Sequence, residues 1–288
     1  MSLTTKKKQF GIKAEVRAEK ARERRIAIAV LLVFIMLVAA SFIYYHTCSF
    51  LNPSQEQMGS PSGELKAAII DQVSLTFPNE TFTQTALEML EQKNYSVDYY
   101  SGEKVTVDFY RKLPTYGYQV IILRVHSSAD ELQGKDCTQA PVCLFTSESY
   151  STNGHVLEQL NDQLVIALYS MPQPAYYFAI PPAYVESCME GRFQNTTVVM
   201  MGCEGLSNTK MAEAFIKKGA KTYVGWTGPV SPGQTDQAMT QLLQHLATDN
   251  QTIKQPVENT MREVGPDQAY NSTLEYYPLA SGNYAIQR

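Results

Sequence analysis

The order of apolar and polar positions divides the chain into a long uncharged run near its start and an alternating body. Ile26 to Tyr45 is twenty residues without a charge, the length a helix needs to cross a hydrocarbon core. From residue 64 onward, short apolar runs alternate with helical spacings. Lys66 to Val73 reads as a buried strand. Phe82 to Lys93 carries apolar residues at 82, 86, 89 and 90, a helical period. Tyr95 to Tyr100 gives a second strand, Val105 to Leu113 a short helix stopped by a proline, and Gln119 to Val125 a third strand. Near-continuous apolar strands separated by helices predict a parallel sheet covered on both faces.

The alternation breaks over 127-194 and then resumes. The broken stretch holds two strand-like runs, Val142 to Tyr150 and Gln163 to Tyr169, which the spacing predicts as a hairpin. A proline-rich stretch and a short helix near Tyr184 to Met189 follow. We read the whole as an insertion over the carboxyl edge of the sheet. After it come the run Val198-Val199-Met200-Met201, the turn Gly202-Cys203-Glu204-Gly205, an amphipathic helix ending at Gly219, the strand Thr222 to Trp226 and a helix over Gln234 to Ala247. In residues 253-288, Thr273 to Tyr277 and Asn283 to Ile286 are predicted edge strands.

Charge adds a topology. The first 25 residues hold nine of the 24 Lys and Arg and three of the 28 Asp and Glu, so the rest carries a net charge of −10. An acidic body argues against nucleic acid as a partner, since phosphate binding needs a basic footprint. A basic tail (1-25), a transmembrane helix (26-45) ending in Phe42, Tyr44 and Tyr45, and a Ser/Pro/Gly-rich linker (46-63) place the N-terminus in the cytoplasm by the positive-inside rule. The folded body (64-252) and its extension (253-288) would then lie outside the cell membrane. Five glycosylation sequons, at Asn79, Asn94, Asn195, Asn250 and Asn271, all follow the anchor. Five cysteines are an odd number for an oxidising compartment, which leaves at least one unpaired or bonded to another chain. Cys137 and Cys143 flank a short loop and are the expected bridge, with Cys188 as a competitor, Cys48 at the membrane surface and Cys203 as the leftover thiol.

Two groups able to form a nucleophile and base stand at predicted strand ends, His126 after QVIILRV and Cys203 after TVVMMG. Parallel strands align their carboxyl ends, and ligands gather there. An adjacent imidazole can take the proton of a thiol and later give it to a leaving amine. The following helix would turn its positive end toward the thiolate and oxyanion. The plain alternative is that a lone cysteine after an apolar strand is a small buried hydrophobe. No pair of His or Cys has metal-ligand spacing, and no glycine-rich phosphate loop follows the first strand, so neither a metal nor a nucleotide cofactor is expected.

The strand ending in His126, and the strand ending in Cys203-Glu204 followed by Ala212-Glu213-Ala214-Phe215, Gly219-Ala220 and Val224-Gly225-Trp226, resemble the caspase-like cysteine peptidases, the CHAT and gingipain branches most. The resemblance spans roughly residues 65-247 and implies an α/β three-layer sandwich with a mainly parallel sheet. It implies His126 as general acid/base, Cys203 as nucleophile, and Gly225, Trp226 and Thr227 as a cleft wall pairing with an extended peptide or protein substrate. Gly202 fits the family's small residue before the cysteine. Ser127 stands where the family usually has the glycine whose N–H helps bind the oxyanion. Asp71 and Glu204 could form an acidic pocket for Lys or Arg side chains. A catalytically silent domain used for binding or sensing at the cell surface is the alternative expectation.

Overall fold

The computed structural model describes residues 64–129, 140–169, 174–246 and 252–284. The run 26-45, Cys48, Cys137 and Asn250 lie outside these residues. Within them no helix is long and apolar enough to cross a membrane.

The protein folds as a mixed α/β sandwich around a six-stranded sheet in the order β10-β9-β8-β3-β1-β2. Its strands are β1 (Leu65–Asp71), β2 (Tyr95–Ser101), β3 (Val120–Arg124), β8 (Thr197–Met200), β9 (Thr222–Trp226) and β10 (Leu274–Tyr277). Neighbouring pairs are parallel except β10, which runs antiparallel to β9. Side chains alternate across the sheet, as strand geometry requires. Ala68, Ile70, Ile121, Leu123, Val198 and Met200 enter one core; Ala67, Ile69, Ile122, Val199, Met201 and Trp226 enter the other.

The second core is closed by three helices, α1 (Glu80–Glu91), α6 (Pro232–Leu246) and α7 (Lys254–Val264). α1 starts where the Asn79 side chain accepts the Phe82 N–H, a side-chain N-cap. The first core is closed by α2 (Val107–Lys112), α4 (Pro182–Ser187) and α5 (Lys210–Lys217), together with one face of a second sheet. That sheet is antiparallel, in the order β4-β5-β7-β6, with β4 (Ser127–Ala129), β5 (Val142–Ser149), β6 (Val165–Tyr169) and β7 (Ala175–Ile180). The short helix α3 (Val156–Leu160) links β5 to β6.

Two sequence expectations change. The runs at 142–150 and 163–169 are strands but not partners, because β7 lies between them and pairs with both. β7 is flanked by prolines that mask it as a loop, yet Phe178, Ala179 and Ile180 are fully buried strand formers. Residues 253–284 contain α7, whose Pro256 sits in its first turn where no N–H is needed. Ile253, Val257 and Leu274 complete the second core. Asn283 ends a 3-10 turn, Leu279–Asn283, rather than beginning a strand.

Candidate active site

His126 and Cys203 are brought to one place by register. β3 pairs with β8 so that Ile122 faces Val199 and Leu123 faces Met200. The Met201 N–H donates to the Leu123 carbonyl at 2.9 Å, which carries the ladder past the strand end. Past the strand ends the chains stay close, with Ser127 bonded to the Cys203 carbonyl and His126 and Cys203 at one pocket. Parity puts both on the face shared by Arg124 and Met201. The two side chains line one small pocket of about 30 Å³ with Val73, Val230 and Thr235, room for about one or two waters. A bound carbonyl would therefore meet the pair at the pocket's mouth.

The close approach depends on Gly202. A Cβ there would overlap the Val125 carbonyl oxygen and stand 2.6 Å from Ser127 Oγ. Ser127, buried, donates its hydroxyl to the Cys203 carbonyl at 2.5 Å and so ties the two strand ends together. The chain then turns through Glu204 in the left-handed region at φ 63°. Its N–H donates to the Gly228 carbonyl at 2.9 Å, and the Leu206 N–H donates to Trp226 at 2.7 Å. The N–H groups of Gly202 and Cys203 donate to no backbone carbonyl among the described residues. α5 starts only at Lys210. The field of a helix end fades within a turn, so α5 does not supply the positive end expected beside the thiol.

The histidine is held from several sides. Its N–H donates to Gln72 Oε1 at 3.0 Å, and its carbonyl accepts the Phe145 N–H at 2.8 Å. Nε2 lies 2.7 Å from Thr76 Oγ1. The rings of Tyr169, Phe145 and Phe77 stand 4.9, 6.2 and 6.3 Å away by centroid. This burial, with the Arg124 cation second, pushes the imidazole down to about 4. The Cys203 sulfur rests 3.6 Å from the Val230 carbonyl oxygen and 3.5 Å from the Val230 N–H. Burial pushes its thiol upward, with Glu204 and Asp267 adding to the effect. At neutral pH the site therefore holds a neutral imidazole and a neutral thiol. No hydrogen bond joins them among the described residues.

The remaining expected residues have other work. Asp71 is buried opposite Arg124 in the β1–β3 register. Its carboxylate accepts Arg124 Nη1 at 2.7 Å, the Ser74 N–H at 2.9 Å and the Tyr99 hydroxyl at 3.2 Å. Its side chain is buried and engaged within the fold, and of the expected acidic pair Glu204 is the one whose charge acts on the thiol. Gly225 and Trp226 pair with Glu275 and Leu274 of β10, and the Thr227 N–H donates to the Thr273 carbonyl at 2.9 Å. The chain's own strand thus occupies the backbone edge expected for a substrate. Trp226 is buried in the core, its indole N–H donating to Thr235 Oγ1 at 3.0 Å.

Four residues that no motif marked complete the surroundings: Gln72 and Thr76 after β1, Val230 after β9, and Arg124 within β3. Only Arg124 had a visible sign, a charge inside an otherwise apolar strand. No protein-family model matches the chain, and no curated protein is significantly similar to it.

Proposed function

We propose that the chain is a membrane-anchored cysteine endopeptidase of the caspase-like type. In this reading the N-terminus is cytoplasmic and the α/β domain extracytoplasmic, and His126 and Cys203 act on a peptide or protein. The observation that carries it is that these two residues, which follow the carboxyl ends of the adjacent central strands β3 and β8, line one pocket. The mainly parallel sheet with helices is compatible with the sandwich that the resemblance implies.

In the reaction the Cys203 thiol proton passes to the imidazole as sulfur attacks the scissile carbonyl carbon. The oxyanion would meet the Cys203 N–H, which donates to no backbone carbonyl among the described residues, and the Ser127 N–H by analogy with the family. The tetrahedral species collapses, the C–N bond breaks, and the imidazolium gives its proton to the leaving amine. Water then hydrolyses the thioester with His126 again as base. A neutral imidazole suits the first step. The raised thiol keeps its proton on sulfur in the resting site.

The test is peptide-library cleavage and labelling with a thiol-directed probe, wild type against Cys203→Ala. Loss of at least about a thousandfold in cleavage is expected, the scale on which acting nucleophiles contribute. Undiminished cleavage would sink the assignment. A second reading, a silent domain that binds at the cell surface, is favoured by the occupied edge of β9 and by the separate partners of the thiol and ring. Under that reading the wild type cleaves nothing and Cys203 alkylates no faster than Cys188.

A further inference from the structure

We propose that Thr76 is a positioning residue for His126, whose hydroxyl sets the tautomer of the imidazole and thereby frees Nδ1 to receive the Cys203 proton. The chemistry rests on the His126–Cys203 reading. The geometry does not.

Thr76 closes the 3-10 turn Gln72–Leu75 that follows β1. The Val73 carbonyl already accepts two backbone N–H groups, from Thr76 at 3.0 Å and Phe77 at 2.8 Å. The Thr76 hydroxyl lies 3.1 Å from that carbonyl and 2.7 Å from His126 Nε2. It carries one hydrogen and faces the Val73 carbonyl, an acceptor, and Nε2, whose role follows the tautomer; a hydroxyl both donates and accepts.

With the hydrogen turned to Nε2, the neutral ring carries its own hydrogen on Nδ1 and cannot take a proton there. With the hydrogen turned to the Val73 carbonyl, Thr76 accepts from Nε2–H and the Nδ1 lone pair is free. Nδ1 has no partner among the described residues, so it is the nitrogen left to serve the sulfur. When the thiol proton reaches Nδ1, the ring bears hydrogens on both nitrogens. Nε2–H continues to donate to Thr76, and no further proton moves. The hydroxyl thus fits both the base and its conjugate acid. The other titratable or charged groups set about the ring are Arg124, Tyr169 and Cys203.

Thr76→Val keeps the shape and removes the hydroxyl, and Thr76→Ser restores it. The full-length chain has four histidines, so ¹⁵N-histidine labelling in detergent micelles gives a readable spectrum, with His126→Gln assigning the resonances. We expect the Nδ1 and Nε2 shifts of His126 to move in Thr76→Val and its protonation to need more acid, with both restored in Thr76→Ser. If the wild type cleaves peptides, kcat should fall about tenfold in Thr76→Val, the effect of one lost hydrogen bond to a group that becomes charged. KM should hold, and Thr76→Ser should recover the rate. Unchanged His126 shifts and titration in Thr76→Val overturn the proposal, whether or not the wild type is a peptidase. An inactive wild type with the expected shifts overturns the peptidase reading alone.

Discussion

Two polar clusters sit two residues apart along the chain, one at the end of β3 and one just past it, and face opposite demands. Arg124 and Asp71 are each 1 % exposed and Asp236 is 5 % exposed. Arg124 Nε and Nη2 donate to the two oxygens of Asp236 at 2.7 and 2.9 Å, Nη1 donates to Asp71 at 2.7 Å, and Nη2 also reaches the Phe77 carbonyl at 2.9 Å. Asn79 Nδ2 adds a donor to Asp236 at 2.9 Å. The guanidinium has an acceptor on each of its nitrogens, and both carboxylates are spoken for. At His126 and Cys203, by contrast, each partner is anchored to its own surroundings and the direct contact is unmade. A buried charge must be closed to be tolerated. Under the proposed dyad, a reactive pair must keep an open valence for a substrate, while the closed cluster two residues earlier holds the end of β3.

Breaking the closed cluster should have the largest effect on stability. Arg124→Met leaves two buried carboxylates with no cation, and loss of one partner of a buried pair costs about 3–5 kcal/mol. Chemical denaturation of the purified chain should show that loss or a failure to fold. The variant Asp71→Asn/Arg124→Met/Asp236→Asn removes the charges together and should regain part of it. If Arg124→Met alone costs under about 1 kcal/mol, the cluster does not hold the strand end.

The open pair predicts a smaller effect that depends on pH. Burial holds His126 near a pKa of about 4 in the folded protein, against about 6.5 in an unfolded chain. The unfolded state therefore binds the extra proton between these values. The stability this represents is complete above pH about 6.5 and is lost as pH falls toward 4. Its size is on the order of 3 kcal/mol. His126→Gln should flatten that part of the stability–pH curve, while His155→Gln should leave the fall in place. A wild-type curve that is level between pH 6.5 and 4 contradicts the cage of aromatic rings as the cause.

Much of this was legible in the sequence, and the legible part has a physical signature. β1, β3 and β8 are apolar on both faces, so their runs announced a covered parallel sheet, and strand ends followed by His126 and Cys203 located the candidate site. What the sequence hid was partnership. β7 looked like a loop because prolines bracket it, and only the sheet shows that it separates β5 from β6. Asp71 ends a strand, where a carboxylate commonly caps or meets solvent; its pairing with Arg124 needs the β1–β3 register and α6 together. Trp226 gave no local sign of being core rather than cleft wall, since the Thr235 hydroxyl that takes its N–H comes from α6. Thr76 and Gln72 reach His126 across a separation of 50 or more residues, and no spacing rule covers such contacts.

The smallest expected loss of stability comes from Gly202, where the comparison can be sharpened without touching either cluster's polar atoms. Gly202 has no positive φ among the described residues, so its glycine is required by space alone. A methyl group would press on the Val125 carbonyl oxygen, which is backbone and cannot swing aside, and on Ser127 Oγ. Gly202→Ala should therefore move the β8 end away from β3 and cost about 1–3 kcal/mol, the usual range for overpacking. Because Asp71 and Asp236 reach Arg124 from β1 and α6, their bonds to it should survive. Cys203, one residue on and tied to Ser127 through its carbonyl, should shift relative to His126. The thiol should then alkylate at a changed rate while the pH midpoint of His126 stays near its wild-type value. A Gly202→Ala protein with wild-type stability and wild-type alkylation would mean that the two strand ends are not held in contact, and the register argument for the pair would lose its basis.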